Sequence, residues 1–469
     1  MLEKFANIFR VPDLRLRVLF TAAMLAVYRL GSHVPTPGIN VEALKRAFEQ
    51  QAGSLLGFYD LFSGGNFRKL TVFALGIMPY ITASIILQLL TVVYEPLARL
   101  QKEGELGRRK ITQWTRYLTI ILSALQSFGI ALTLERLQGE QIVLNPGWGF
   151  RLMTMLTLTA GSGFVMWLGE QITERGIGNG MSLLIFAGII VGLPRGIADL
   201  YDKVRTNAWG ALTPVAMILL IAVMILVVAF IVFVERSERR IPVQYAKRVV
   251  GRKVMGGQST FLPLRVNTGG VMPVIFASSI LSFPLMAEPF VKQNPTMNNL
   301  FGKALETMHW GEPLYTLLYA LGIIFFAYFY VSIVFNPVEV ADNMRKYGGF
   351  IPGIRPGRRT SDYINEVLTR ITLVGALYLI LISLIPEWMI AGIHLHHLPV
   401  WLGGSFFANL PPWITNGLGV NFYFGGTSLL IVVGVAMDTV QQVEAQLIMR
   451  HYEGFTPRSG RIRGRRTWT

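Results

Sequence analysis

The chain contains no cysteine. Disulfides, cysteine-held zinc, haem attached through cysteine and thiol catalysis are therefore excluded. Charge is scarce: Asp, Glu, Lys and Arg make up 15% of the 469 residues, where a soluble chain carries about a quarter. Sequence signatures of catalysis are missing as well. No HExxH, Walker A or GxSxG pattern occurs, which removes the commonest routes to metalloprotease, nucleotide-hydrolysing and serine-hydrolase chemistry. The run Gly161-Ser162-Gly163 reads as a small-residue helix contact, because no histidine base sits within a helix to activate the serine. His394, His396 and His397 cluster near the C-terminus without a neighbouring carboxylate, so they are not read as a metal site.

Apolar residues make up 52% of the chain, and mean hydropathy is +0.47. Crossing about 30 Å of hydrocarbon takes roughly 20 apolar residues in a helix. Ten segments qualify: 17–36, 73–93, 114–134, 150–170, 180–199, 212–234, 270–290, 314–335, 369–389 and 422–442. Backbone groups in lipid must pair internally, and strand-like alternation is absent from these segments, so the predicted fold class is an all-α polytopic membrane protein. The N-terminal run follows Glu3, Lys4, Arg10, Asp13, Arg15 and Arg17 and reads as a retained first helix rather than a cleaved signal.

Net charge is +16, and its distribution carries the information. Basic residues concentrate in the N-terminus, in alternate loops (around Arg99–Arg116, Arg236–Arg265 and Arg345–Arg370) and in the tail from Arg450 to Arg466. The positive-inside rule then places both termini in the cytoplasm. No Asp, Glu, Lys or His falls at the centre of an apolar segment; Arg29, Glu170, Glu288 and Asp438 lie near segment ends. Transport coupled to a buried carboxylate is disfavoured on this ground, which leaves a secondary solute transporter as the alternative and a passive conduit as the leading reading.

Two stretches depart from a plain bundle. Residues 53–72 are moderately apolar but broken by Gly64-Gly65 and Arg68-Lys69. They form either an ordinary outer loop or a re-entrant segment folded into a pore, the place where irregular backbone is tolerated at membrane depth. The loops 235–268 and 336–368 are long, basic and rich in Gly and Pro. They serve either orientation and anionic lipid or docking of a large acidic partner. At mid-membrane, Ile77 with Ile81 and Met181 with Ile185 share helix faces by their spacing of four, and Ile275 and Ile431 lie on two later segments. Sequence physics alone does not select these from ordinary packing residues.

Several runs resemble the SecY family in order and over nearly the whole chain. They include LFSGGNFRKLTVFALGIMPYITASIILQLL (61–90), KEGELGRRKITQWTR (102–116), MWLGEQITERGIGNGMSLLIFAGI (166–189) and RRIPVQYAKRVVGRKV (239–254). VNTGGVMPVIFASSIL (266–281), GGFIPGIRPGRRTSDYI (348–364), TRITLVGALYL (369–379) and FGGTSLLIVVGVAMD (424–438) follow. The resemblance implies about ten helices in two pseudo-symmetric halves, 1–210 and 211–445, around an hourglass pore, with a basic tail at 446–469. It implies a channel for unfolded secretory polypeptides that also releases transmembrane segments into lipid, without enzymatic activity or cofactor, in the bacterial plasma membrane. By resemblance, Ile77, Ile81, Met181, Ile185, Ile275 and Ile431 form the pore ring. Met181 departs from the usual branched aliphatic residue. Leu61, Phe62, Ser63, Gly64, Gly65, Asn66 and Phe67 belong to the plug, and Thr82, Gln126, Ser278 and Ser279 to a lateral gate. Arg239, Arg240, Arg252, Lys253 and Arg355 would dock the SecA ATPase or the ribosome. SecE-like and SecG-like small membrane subunits, signal-bearing nascent chains and membrane lipids are the remaining implied partners. The aromatic outer loop 390–421 is expected at the lipid interface; the tail is left open between lipid headgroups and ribosomal RNA.

Overall fold

The computed structural model describes residues 11–50, 63–136, 142–206, 213–245, 248–250, 253–255, 259–286, 312–391 and 426–453, with four isolated positions between 291 and 307. In chain order the helices are α1 (Pro12–Gly31), α2 (Val41–Gln50), α3 (Met78–Val93), α4 (Glu95–Lys102), α5 (Glu105–Arg136), α6 (Trp148–Arg175), α7 (Gly180–Arg205) and α8 (Thr213–Arg236). Strands β1 (Glu238–Tyr245), β2 (Arg248–Val250), β3 (Lys253–Met255) and β4 (Ser259–Arg265) follow. After them come α9 (Met272–Met286), α10 (Pro313–Val334), α11 (Pro337–Lys346), β5 (Gly349–Phe350), α12 (Arg358–Ala391) and α13 (Gly426–Glu453).

Each of the ten apolar segments falls on one of these helices. Among the described residues, six helices are long and apolar enough to cross a bilayer, or seven if α3 and α4, bent by 104° at their junction, form one span. The second segment was expected to run from residue 73; the helix begins at Met78 instead. Gly76 takes a left-handed φ of +55°, open to glycine at little cost, and Pro79 sits in the first turn, where its missing N–H costs nothing. Residues 64–77 are turns, tightly buried at Asn66, Phe67, Leu70, Phe73 and Leu75.

Helix packing closes a circuit. α3 packs on α5, α5 on α6, α6 on α7, α7 on α13, α13 on α12, α12 on α10, α10 on α9, and α9 back on α3. The two sequence halves meet in this circuit at α3 with α9 and at α7 with α13. Large apolar side chains point outward, among them Ile218, Ile225, Leu226 and Phe233 on α8. A bilayer receives such a surface at no hydrophobic cost.

The loops 235–268 and 336–368, read from sequence without strands, fold together. β1 lies between β4 and β5 in an antiparallel sheet, with Glu238 opposite Arg265 and Gln244 opposite both Ser259 and Phe350. Ile241 and Val243 alternate inward and meet Leu264, Met344, Ile351 and Ile364 in a second, smaller core. The two basic loops are therefore one folded module. A polar cluster ties its root to the helices: Asn267 donates to Glu235 on α8 (2.6 Å) and to the Gly270 carbonyl (3.1 Å), while Arg265 pairs with Asp438 on α13 at 3.6 Å.

Candidate functional site

The helix circuit encloses a cavity of about 400 Å³, lined from α3, α5, α6, α7, α9 and α10. Three layers follow one another along its axis. The outermost polar layer lies where the basic loops emerge. Gln88 comes from the last turns of α3, Thr112 and Arg116 from the first turns of α5, and Glu170, Thr173 and Glu174 from the end of α6. Arg116 Nε donates to Glu170 Oε1 at 2.8 Å and joins α5 to α6. Their side chains are 42% and 15% exposed, so solvent screens the pair and its worth is about 1 kcal/mol or less.

The second layer is apolar. Ile81 of α3, Met181 and Ile185 of α7 and Ile275 of α9 line the deep end of the cavity. Three of them are almost fully buried, at 6%, 4% and 4% exposure for Ile81, Ile185 and Ile275; Met181 is partly buried against the same core. Ile77, capping α3, and Ile431, on α13, are buried in this core as well but do not line the cavity. Four of the six expected ring residues thus line the cavity, and two are buried without lining it.

The third layer is the segment from Ser63 to Ile77, one turn further along. On α7 the sequence of layers is direct: Met181 and Ser182 line the cavity, Ile185 follows, and the Gly188 backbone meets Gly64. A Cβ on Gly64 would approach the Gly188 Cα and carbonyl to 2.7 Å, and Gly64 has φ +72°. Both facts require glycine there. Gly161 of α6 packs on the Val72 carbonyl, whereas Gly163 faces open space, so half of the small-residue contact read from sequence is used, and against this segment rather than a helix. Of the expected plug residues, Leu61 and Phe62 lie outside the described residues.

The four gate residues are all buried: Thr82 6%, Gln126 8%, Ser278 1% and Ser279 3%. They do not form one network. Thr82 Oγ1 donates to the Met78 carbonyl and Ser278 Oγ to the Ile275 carbonyl, each within its own helix; Gln126 Oε1 and Ser279 Oγ have no hydrogen-bond partner. Their helices do adjoin, α3 touching both α5 and α9.

On the module folded from the two basic loops, Arg239 and Arg240 project from β1 and are exposed, Arg240 pairing with Glu238 at 2.7 Å. Arg355 is exposed on the turn between β5 and α12, whose shape is held by Thr360 Oγ1 donating to the Arg355 carbonyl at 2.9 Å. Lys253 lies in β3; Arg252, the histidine cluster, the loop from 392 to 421 and the tail beyond 453 lie outside the described residues.

Sequence reasoning counted Arg116 among the orientation cations and Glu170 as a segment-end charge. Their pairing across 54 residues left no periodic trace; the only signal was an acidic residue inside the apolar run MWLGEQ. No group of three or more His, Cys, Asp or Glu among the described residues is arranged to hold a metal.

Comparison with known proteins places this geometry. The SecY family model matches residues 71–440. The chain is 49% identical over 443 residues to the protein translocase subunit SecY of Escherichia coli (strain K12), covering 94% of this chain and 93% of that one. Its fold is similar to a solved protein conducting channel, with TM-score 0.60, 16% identity, and 94% and 95% of the two chains covered. It is also similar to Sec61 in the canine ribosome–channel complex from the endoplasmic reticulum, with TM-score 0.56, 15% identity and the same coverage.

Proposed function

This chain belongs to the SecY family, and we propose that it forms the conducting channel of a bacterial protein translocase. It passes unfolded secretory polypeptides across the plasma membrane and releases transmembrane segments sideways into lipid. The observation that carries this reading is the closed circuit of eight helices around a cavity that is polar at its mouth and lined by isoleucines at its deep end.

A narrow aliphatic constriction excludes water, and ions with it. Isoleucine and methionine offer no hydrogen bond to which a passing chain could adhere, and their side chains part around any sequence. Ile77 and Ile431, buried in the same core, complete the ring when the pore widens. The segment 53–72 is the plug, a second barrier on the outer side. The seam between α3 and α9, flanked by α5 and α10, is the lateral gate through which an apolar segment partitions. Residues 1–210 and 211–445 are the two halves that move apart there, and the opposite seam of α7 with α13 is the hinge.

The energy comes from outside. Arg239, Arg240, Arg252, Lys253 and Arg355 present the basic face of the folded cytoplasmic module to SecA or to a ribosome, a surface whose binding weakens with salt. Both termini are cytoplasmic. SecE-like and SecG-like subunits complete the assembly.

Photo-crosslinking of a stalled secretory chain tests the channel directly. A photoreactive side chain at position 81 or 275 is expected to capture the chain in transit, whereas one at Ile225 on the outer face of α8 is not; capture at 225 alone would discard the pore assignment. For the docking surface, Arg355→Glu is expected to lower export about tenfold or more, on the order of the 1.5–3 kcal/mol of a charge-assisted hydrogen bond, with assembly unchanged. Normal export in that variant removes Arg355 from the docking site.

A further inference from the structure

We propose that Asn66 and Tyr28 form a latch that holds the pore segment 63–72 in its closed position, with Tyr28 of α1 as the fixed half and Asn66 as the moving half. The proposal rests on the reading of 53–72 as the plug and adds to it the residues that set how readily the plug leaves.

Backbone pairing and apolar packing hold much of the segment: Thr36 N donates to the Leu70 carbonyl and Val72 N to the Val34 carbonyl, each at 2.9 Å. Phe67, Leu70 and Leu75 are buried among helices, and such packing is non-directional. The contact of Asn66 joins two side chains, so it can be removed without disturbing the backbone pairing. The Asn66 Nδ2 donates to Tyr28 Oη at 3.3 Å, across 38 residues of sequence, and both side chains are buried, at 2% and 5% exposure. The local fold aims the amide there. The Asn66 carbonyl accepts from Thr71 N at 3.0 Å and Ser63 Oγ accepts from Phe67 N at 3.1 Å, so the backbone on either side of Asn66 is closed into turns.

Tyr28 is held from the root of the segment, where Phe73 follows its last residue and anchors to α6. Its ring stacks on Phe73 with centroids 5.8 Å apart and planes 5° from parallel, and Phe73 stacks in turn on Phe164 of α6 at 5.8 Å. Gly31, one turn after Tyr28 on α1, leaves the room that the Phe73 ring occupies. The hydroxyl therefore stands at a fixed point of the scaffold while the amide rides on the segment that must move.

The energetics suit a latch. When the segment leaves, both groups enter a wet funnel and regain hydrogen bonds to water, so the net worth of the bond is modest. Loss of one partner acts differently. It strands the other as an unpaired polar group in the closed state alone, which costs more than the bond contributes. Removing both partners restores an apolar, satisfied contact. The two sites are thus coupled with a definite sign: single replacements open the segment, and the double replacement closes it again.

The test uses the whole translocase in membranes. Because the chain has no cysteine, Phe67→Cys supplies a single thiol on the segment, and a membrane-impermeant maleimide added from the outer side reports how often it leaves its seat. Tyr28→Phe keeps the stack and removes only the hydroxyl. It is expected to raise the labelling rate about five-fold or more, with a parallel rise in resting ion leak. Asn66→Leu is expected to do the same, and Tyr28→Phe with Asn66→Leu to return within about two-fold of the parent. Additive singles, or a Tyr28→Phe rate equal to the parent, overturn the latch. Deletion of residues 63–67 separates the two levels of the argument. If it raises leak while Tyr28→Phe does not, the latch is wrong and the plug stands; if the deletion leaves leak unchanged, the plug reading fails.

Discussion

The two ends of the cavity follow opposite rules. At the mouth, six polar side chains and an interhelical ion pair face the space; two turns deeper, three isoleucines and a methionine do. α3 serves both layers, with Gln88 in the first and Ile81 in the second, so on that helix the difference is not one of backbone. It lies in what each layer must do to water. In the proposed channel, the mouth keeps an unfolded polypeptide solvated, and the constriction strips water from everything except that polypeptide. A charge placed in the second layer would defeat it, whereas a charge in the first costs little because solvent reaches it.

This contrast predicts that the layers fail differently when changed. The largest effect belongs to the apolar one. Exchanging Ile81, Ile185 and Ile275 for serine removes methyl and methylene groups and adds hydroxyls that hold water. At roughly 0.8 kcal/mol per CH₂, each replacement lowers the barrier to wetting by about 2 kcal/mol, so even one is expected to raise resting ion leak at least about tenfold. Planar-bilayer conductance of the unplugged, idle channel measures it. Unchanged conductance in the triple variant would show that the seal lies elsewhere.

The polar layer is expected to respond in stability rather than in leak. Glu170→Ala breaks the pair with Arg116, which bridges α5 and α6. Since Arg116 is 42% exposed, the stranded guanidinium hydrates, and the loss is about 1 kcal/mol or less. Thermal unfolding of the purified complex should fall by a few degrees at most while conductance stays within about two-fold of the parent. A tenfold leak in this variant would erase the distinction between the layers.

How visible these layers were in the sequence differs for physical reasons. Membrane helices announce themselves because lipid demands long apolar runs with internally paired backbone, and all ten expected segments fall on helices. The start of α3 was misjudged by five residues, although Gly76 and Pro79 stood in the sequence as a left-handed turn and a first-turn proline. The sheet of the two basic loops was missed because Pro242 and Pro263 interrupt its two longer strands and β5 joins them from the second loop; the alternation Ile241, Val243 was its local mark. Arg116 with Glu170 and Tyr28 with Asn66 are long-range pairs of residues that look ordinary on their own. The ring residues were picked out by resemblance, and spacing alone would have left them among dozens of buried aliphatics.

Met181 gives the smallest and sharpest test of the comparison, because it belongs to the apolar layer by position but departs from it in shape. Its side chain is unbranched and only partly buried, and it reaches across to α6, where it crowds Gly169 closely enough that a Cβ there would collide with its sulfur and methyl. An unbranched thioether fills such a gap adaptably, and it offers the seal less rigid surface than a β-branched chain fixed at χ1. Met181→Ile conserves volume, so its cost in stability should be less than about 1.5 kcal/mol. Stiffening the wall should lower resting leak slightly, by less than about three-fold. It should slow passage of bulky side chains more than of small ones, since the remaining isoleucines must then yield further. Export of two otherwise matched substrates, one carrying a tryptophan-rich segment and one a serine-rich segment, reads this as a ratio. A ratio that does not move while leak falls means Met181 seals but does not accommodate; a rise in leak means that the gap beside Gly169, not softness, is what methionine fills.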